Sequence, residues 1–226
     1  MAFDGITTAA VTAELRNKLI QGRIYKIAQP ENDEILLTVK TVDGGTRRVL
    51  ISAGASLPFI YFTETNKPSP MIAPNFCMLL RKHLQNGRIT DISQPGLERI
   101  IRISVEHLNE MGDMCRKVLI VELMGKYSNI ILCDDKDVII DAIKRIPATT
   151  SSVREVLPGK DYFIPFQEGR KDPYEADLNS FFKDIKKTNK SLIAAICACY
   201  MGISKVGATE IVNRSEERRV GKECRS

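Results

Sequence analysis

Residues 19–30 read LIQGRIYKIAQP and residues 84–95 read LQNGRITDISQP, with seven of the twelve positions identical. In each copy an amphipathic stretch ends at a glycine, Gly22 or Gly87, and a β-rich run then leads to a Gln-Pro turn. A glycine just past the last helical turn tolerates a left-handed C-cap, so each copy reads helix, cap, strand, turn. The similarity fades after Pro30 and Pro95, which makes this a paired unit and not a solenoid array. The second copy runs directly into Pro95-Gly96-Leu97-Glu98-Arg99-Ile100, a turn that sets adjacent opposite charges at the mouth of a strand.

Around this repeat the pattern is consistent. Val11, Leu15 and Leu19 recur at helical spacing within residues 9–21, and residues 75–86 form a second helix with Phe76, Leu79, Leu80 and His83 on one side. Short β-rich runs follow each helix, at 23–29, 34–40, 46–52 and 59–63, then at 88–94, 98–106, 117–124, 128–133 and 138–143. Residues 66–74 are proline-rich and read as an exposed loop. Two helix-then-meander halves predict an α+β fold, with two antiparallel sheets packed on one core, over residues 1–163. Residues 164–173 read as a linker by composition. Residues 174–187, 191–201 and 205–213 then read as helices, with Gly202 ending one and Ser204 capping the next. Helix, short glycine-containing hairpin, helix is a helix-hairpin-helix shape, and its turn at Gly202, Ser204 and Lys205 offers backbone N–H groups to a phosphate.

Residues 214–226 (RSEERRVGKECRS) carry five basic and three acidic residues without an apolar period. They read as a non-native tail outside the fold, with the natural product expected to continue past Asn213. The whole chain has a net charge of +5. That is compatible with a local phosphate-binding face but short of a dedicated DNA-packing protein. No leader or long apolar run is present, which predicts a soluble, cytoplasmic protein without a membrane partner. The six cysteines are scattered in apolar segments and fit buried hydrophobes of a reducing compartment, with no zinc-site spacing.

Arg99 falls on the same strand row as Ile101, Ile103 and Val105. A guanidinium entering an inward row needs a fixed carboxylate or phosphate, either an internal salt bridge, with Asp4 a candidate, or a ligand. Arg81, Lys82 and His83 sit near a helix end, and Lys126-Tyr127 offers a cation and an aromatic ring suited to an unpaired RNA base and its phosphate. Asp134, Asp135 and Asp137 read as a solvated turn. No hydrolytic triad, P-loop or dinucleotide fingerprint is present, so no catalytic residue, metal or cofactor is expected.

Taken together, FDG at 3–5, FCMLLRKH at 76–83, QPGLERI at 94–100, VELMGKYSNIIL at 121–132, IIDAIKRI at 139–146, VLPG at 156–159 and MGIS at 201–204 resemble the N-terminal part (NFACT-N) of the NEMF/RqcH family. That family is often labelled fibronectin-binding protein A-like in Gram-positive bacteria. The resemblance covers residues 1–213 in order.

It implies a non-enzymatic ribosome quality control factor. Such a factor binds large ribosomal subunits obstructed by peptidyl-tRNA and recruits tRNA (alanyl-tRNA in bacteria) for template-free C-terminal tailing, while the ribosome performs peptide transfer. In the family an Asp-Arg pair contacts the tRNA anticodon region, supported by an early aspartate. The matching positions here are Glu98, Arg99 and Asp4, so the acid of the pair is longer by one methylene. On this reading Arg81, Lys82, Lys126 and Tyr127 join them as tRNA-binding residues. The family continues into a coiled coil and a second RNA-binding domain, so a fragment of this length is expected to fold and bind tRNA weakly without sustaining tailing.

Two rivals come from other classes. The family's N-terminal domain resembles the N-terminal fold of formamidopyrimidine-type DNA glycosylases, but those enzymes attack with an N-terminal proline amine and this chain begins Met1-Ala2-Phe3-Asp4. Adhesion to fibronectin follows only from the family label, and no secretion signal or anchor is visible.

Overall fold

The computed structural model describes residues 3–109, 111–151, 154–165 and 169–223. Helix α1 (Gly5–Leu19) is followed by β1 (Arg23–Ala28), β2 (Glu34–Lys40), β3 (Thr46–Ser52) and β4 (Phe59–Thr63). The pattern restarts with α2 (Asn75–Leu84), then β5 (Arg88–Ser93), β6 (Ile100–Leu108), β7 (Met114–Glu122), β8 (Asn129–Cys133) and β9 (Ile139–Ala142). Helix α1 begins four residues before the apolar periodicity does because Asp4 caps it, its Oδ1 accepting the Thr7 N–H at 2.8 Å.

The nine strands form one antiparallel sheet in the order β4-β3-β2-β1-β5-β6-β7-β8-β9, which corrects the expectation of two sheets. The physical reason lies at the centre, where the two repeats meet. Gln21 N–H donates to the Ile89 carbonyl at 2.8 Å, and Ile89 N–H to the Gly22 carbonyl at 2.9 Å. Shifting every residue number by 65 gives the mates: Asn86 N–H to Ile24 at 2.7 Å and Ile24 N–H to Gly87 at 2.9 Å. Four backbone bonds related by a pseudo-two-fold axis therefore fuse the halves edge to edge, and stacking two sheets would leave them unmade.

The same axis swaps the helices, α1 lying on β5 and α2 on β1. Arg16 Nη1 donates to the Ile92 carbonyl at 3.1 Å, and its mate Arg81 donates from Nε to the Ile27 carbonyl at 2.9 Å. Leu15, Leu19, Leu80 and Leu84 drop into one core with Ile24, Ile27, Ile89 and Ile92. The sheet curls around that core. Beyond β9, Lys144 Nζ donates to Ser128 at 3.2 Å and also to the Ala53 carbonyl at the end of β3, joining outer strands of the two halves.

The repeat glycines do not take the left-handed cap expected of them. Gln21 and Asn86, one residue earlier, hold φ of 66° and 63°. The glycines are required by proximity instead. A Cβ on Gly22 would lie 2.8 Å from Val39 Cγ1, and one on Gly87 would lie 2.5 Å from Val105 Cγ1.

Three helices close the chain: α3 (Leu178–Lys186), α4 (Leu192–Cys199) and α5 (Lys205–Glu223). The helix expected over 174–187 is divided. A single 3-10 turn, Pro173–Glu175, precedes α3, which starts afresh at a capping box between Asp177 and Ser180. The expected second helical domain is corrected too. Among the described residues these helices bury only Ala195, Ile196 and Ala208, with Tyr200 buried just after α4, and α3 buries none, too little apolar surface for a core of its own. The backbone of α5 also runs on through 214–223, where the sequence reading ends the fold. Arg214 pairs with Glu210 at 2.7 Å one turn back, an i,i+4 contact that favours helix. No helix among the described residues is long and apolar enough to cross a membrane.

Candidate nucleic-acid interface

Three segments distant in sequence converge at the carbonyl of Leu97: the start of α1, the turn before β6, and the hairpin before α5. A Cβ on Gly5 would lie 2.1 Å from that oxygen and one on Gly202 1.9 Å from it, so only glycine lets the segments meet. Gly5 N–H donates to the Gly202 carbonyl at 2.7 Å. Gln94, the last glutamine of the repeat, donates from Nε2 to the Gly5 carbonyl at 2.9 Å and to the Glu98 carbonyl at 2.7 Å. The Gln-Pro turn thus fixes both the charged pair and the first helix.

These contacts leave a cavity of about 220 Å³ whose lining includes Asp4, Glu98, Arg99, Gly202 and Ser204. Half of the expected binding residues therefore share one site. Phe3 and Arg170 also line it. Phe3 belongs to the FDG motif at 3–5 but is not among the residues expected at the site, and Arg170 sits in a stretch that reads as linker. Arg99 and Phe3 line a second cavity of about 200 Å³ as well, together with Leu57 and Gly125. The Arg99 side chain therefore stands between two concave spaces.

The row containing Ile101, Ile103 and Val105 is buried in the main core, as the alternation predicts, and Arg99 occupies its open, half-buried end. The internal Asp4–Arg99 salt bridge does not form. Asp4 is committed elsewhere: one carboxylate oxygen caps α1, and the other accepts the Ser204 hydroxyl at 2.5 Å. Burial disfavours ionisation of Asp4, but the hydrogen bonds from Ser204 and Thr7 outweigh it and hold the carboxyl below the usual range. Among the described residues Arg99 has no ion-pair partner, while Glu98 beside it is buried. A guanidinium held at a cavity wall without a carboxylate offers a planar fork of donors to a phosphate or a base edge.

The remaining expected residues are distributed around this centre or away from it. Lys126 and Tyr127 lie in the 3-10 turn Gly125–Tyr127, beside the second cavity, with Lys126 Nζ 4.9 Å from the centre of the exposed Tyr127 ring. Lys205 lines a neighbouring cleft of about 550 Å³ that shares Arg170 with the central cavity. Ser204 Oγ accepts the Gly207 N–H at 3.1 Å and so caps α5, as its position suggests. Gly202 is packed against Leu97, with φ of 72°. Arg81 and Lys82 do not line the central cavity. They end α2, and Arg81 lines a separate concavity with Lys26 and Lys67.

The chain is 37% identical over 216 residues to the Rqc2 homolog RqcH of Bacillus subtilis, covering 95% of this chain and 38% of that protein. It is 35% identical over 221 residues to the Rqc2 homolog RqcH of Streptococcus suis, covering 97% of this chain and 40% of that protein. The chain thus spans well under half the length of these relatives. A crystal structure of the N-terminal domain of fibronectin-binding protein PavA from Streptococcus pneumoniae superposes with a TM-score of 0.88 at 32% identity, covering 98% of this chain and 82% of that one. Residues 4–224 match the family model for NFACT N-terminal and middle domains, and the chain belongs to that family.

Proposed function

We infer that this chain is the tRNA-engaging part of a ribosome quality control factor, acting on large ribosomal subunits that carry a stalled peptidyl-tRNA. The observation that carries the reading is Arg99, a guanidinium without an ion-pair partner among the described residues, set between two cavities. Glu98, Arg99 and Asp4 stand where the family resemblance puts its tRNA-contacting residues, and Lys126-Tyr127 adds a cation and a ring beside the second cavity. A more distant human relative named ribosome quality control complex subunit NEMF, 29% identical over 142 residues, supports the same role. In this reading the chain binds and positions alanyl-tRNA in the cytoplasm, the ribosome makes the peptide bond, and tailing requires the longer protein.

Binding of a fluorescent tRNA tests the site. Arg99→Ala is expected to weaken it by about 1–3 kcal/mol with an unchanged melting temperature. Normal tRNA binding with a lowered melting temperature would make Arg99 a structural residue and remove the site. Adhesion is a second reading, favoured by the PavA likeness alone. Recovery of the full-length protein with the cell wall, and not with ribosomal subunits, would favour it.

A further inference from the structure

The pseudo-two-fold axis allows the charges of the two halves to be compared position by position. Arg23 opens β1 and stands opposite Lys40 of β2; Arg88 opens β5 and stands opposite Glu106 of β6. Both strand pairs carry the same register shift, after Ile24 and after Ile89, so Lys40 and Glu106 are true equivalents. In the second half the pair is neutralised, Arg88 meeting Glu106 at 2.9 Å. In the first half the same place holds two cations. Arg23 turns to the Asn86 carbonyl at 3.2 Å, and Lys40 lies over the Tyr25 ring at 4.2 Å.

The inversion occurs twice. Arg16 of α1 pairs with Asp91 of β5 at 3.0 Å. Its mate, Arg81 of α2, shares a concavity of about 260 Å³ with Lys26, the residue equivalent to Asp91. On the outward face of β1 and β2, lysines thus replace both acids that balance the other half. Thr38 stands directly opposite Lys26 and two residues before Lys40, so the two lysines lie on one strip of sheet about 7 Å apart along the strand. Arg88 and Arg23 are also direct neighbours across the central strands, and like charges placed opposite each other destabilise a sheet. Among the described residues neither Lys26 nor Lys40 has a carboxylate partner.

We propose that this face, built from Arg23, Lys26, Lys40 and Arg81 with Tyr25 beside them, binds the sugar-phosphate backbone of double-helical RNA. It is a second surface, separate from the Arg99 cavity and independent of how that cavity is used. The cations take up phosphates spaced along one strand of the duplex. Most contacts are to the backbone, so binding is tolerant of sequence and falls steeply with salt.

The test uses the whole chain and a labelled blunt RNA duplex of about 20 base pairs, long enough to cover one such face and free of unpaired loops. Lys40→Glu and Lys26→Glu each place an acid where the second half already has one. Each variant is expected to melt at or above the parent temperature while binding the duplex at least about tenfold more weakly, with a salt slope lower by about 1–2. Stability and binding moving in opposite directions is what a merely structural lysine would not produce. Parental affinity and slope in both variants would overturn the proposal, as would a joint loss of stability and binding, or displacement of the duplex by polyglutamate as readily as by unlabelled RNA.

Discussion

The Asp4 carboxylate accepts a hydrogen bond from the Ser204 hydroxyl at 2.5 Å, joining the N-termini of α1 and α5 across almost the whole chain. Each partner also caps its own helix, Asp4 receiving Thr7 N–H and Ser204 receiving Gly207 N–H. The contact locks the cavity that holds Arg99. Ser204→Ala is expected to cost about 1 kcal/mol in chemical denaturation and to weaken tRNA binding modestly.

The same contact sets an acid limit. Burial opposes ionisation of Asp4, yet the hydrogen bonds from Ser204 and Thr7 leave its carboxyl below the ordinary value. Its stabilising contribution is therefore full above about pH 4, the ordinary aspartate range, and fades as pH falls through the lower folded value. Asp4→Asn should flatten that acid limb of melting temperature against pH. An acid limb identical to the parent's would show that Asp4 does not contribute to it.

Much of this was legible in the residues because the signals were local. Alternation placed β2, β3 and β4 at their observed ends, and the repeat announced two equivalent halves. The parity of Arg99 with Ile101 and Ile103 placed it on the core row. What escaped was long-range. Whether two meanders stack or fuse depends on hydrogen bonds from Gln21 to Ile89 and from Asn86 to Ile24, which no local pattern encodes. Arg170 reaches the cavity from a stretch that reads as linker, and Lys40 becomes notable only once the register sets it against Arg23. Arg81 and Lys82 read well as a basic helix end, but neither lines the central cavity, and Arg81 lines a separate concavity.

The glycine and its predecessor in each repeat are expected to respond in opposite senses. Gly87→Ala drives a methyl to 2.5 Å from Val105 Cγ1 and 2.9 Å from the Leu84 carbonyl, and should destabilise by about 1–3 kcal/mol. Gly22→Ala meets Val39 Cγ1 at 2.8 Å and should cost somewhat less. Gln21→Gly relieves a left-handed residue with φ of 66° and should be neutral or stabilising by up to about 1 kcal/mol. Urea denaturation of the three variants checks the order. A destabilised Gln21→Gly beside a neutral Gly22→Ala would contradict both the left-handed strain at Gln21 and the close approach at Gly22.

Glu122, at the end of β7, is fully buried and is held by Arg154 at 2.5 Å and by the Tyr162 hydroxyl at 2.9 Å. The segment after β9 is thereby pinned to the sheet beside the Arg99 turn, since the next residue, Leu123, donates its N–H to the Arg99 carbonyl at 2.8 Å. Removing one partner strands a buried charge, so Arg154→Leu is expected to cost about 3–5 kcal/mol. The double variant Glu122→Leu with Arg154→Leu should recover most of that loss, because no lone charge remains. Burial first, and then the Glu122 charge, raises the Tyr162 phenol well above its ordinary value. The folded state thus retains a proton that the unfolded chain releases, so stability should be full below about pH 10 and decline as pH rises past it. Tyr162→Phe should remove part of that alkaline decline in denaturation midpoints measured between about pH 8 and 11. An unchanged alkaline limb, or a double variant no more stable than Arg154→Leu alone, would show that this cluster does not act as the clasp its geometry describes.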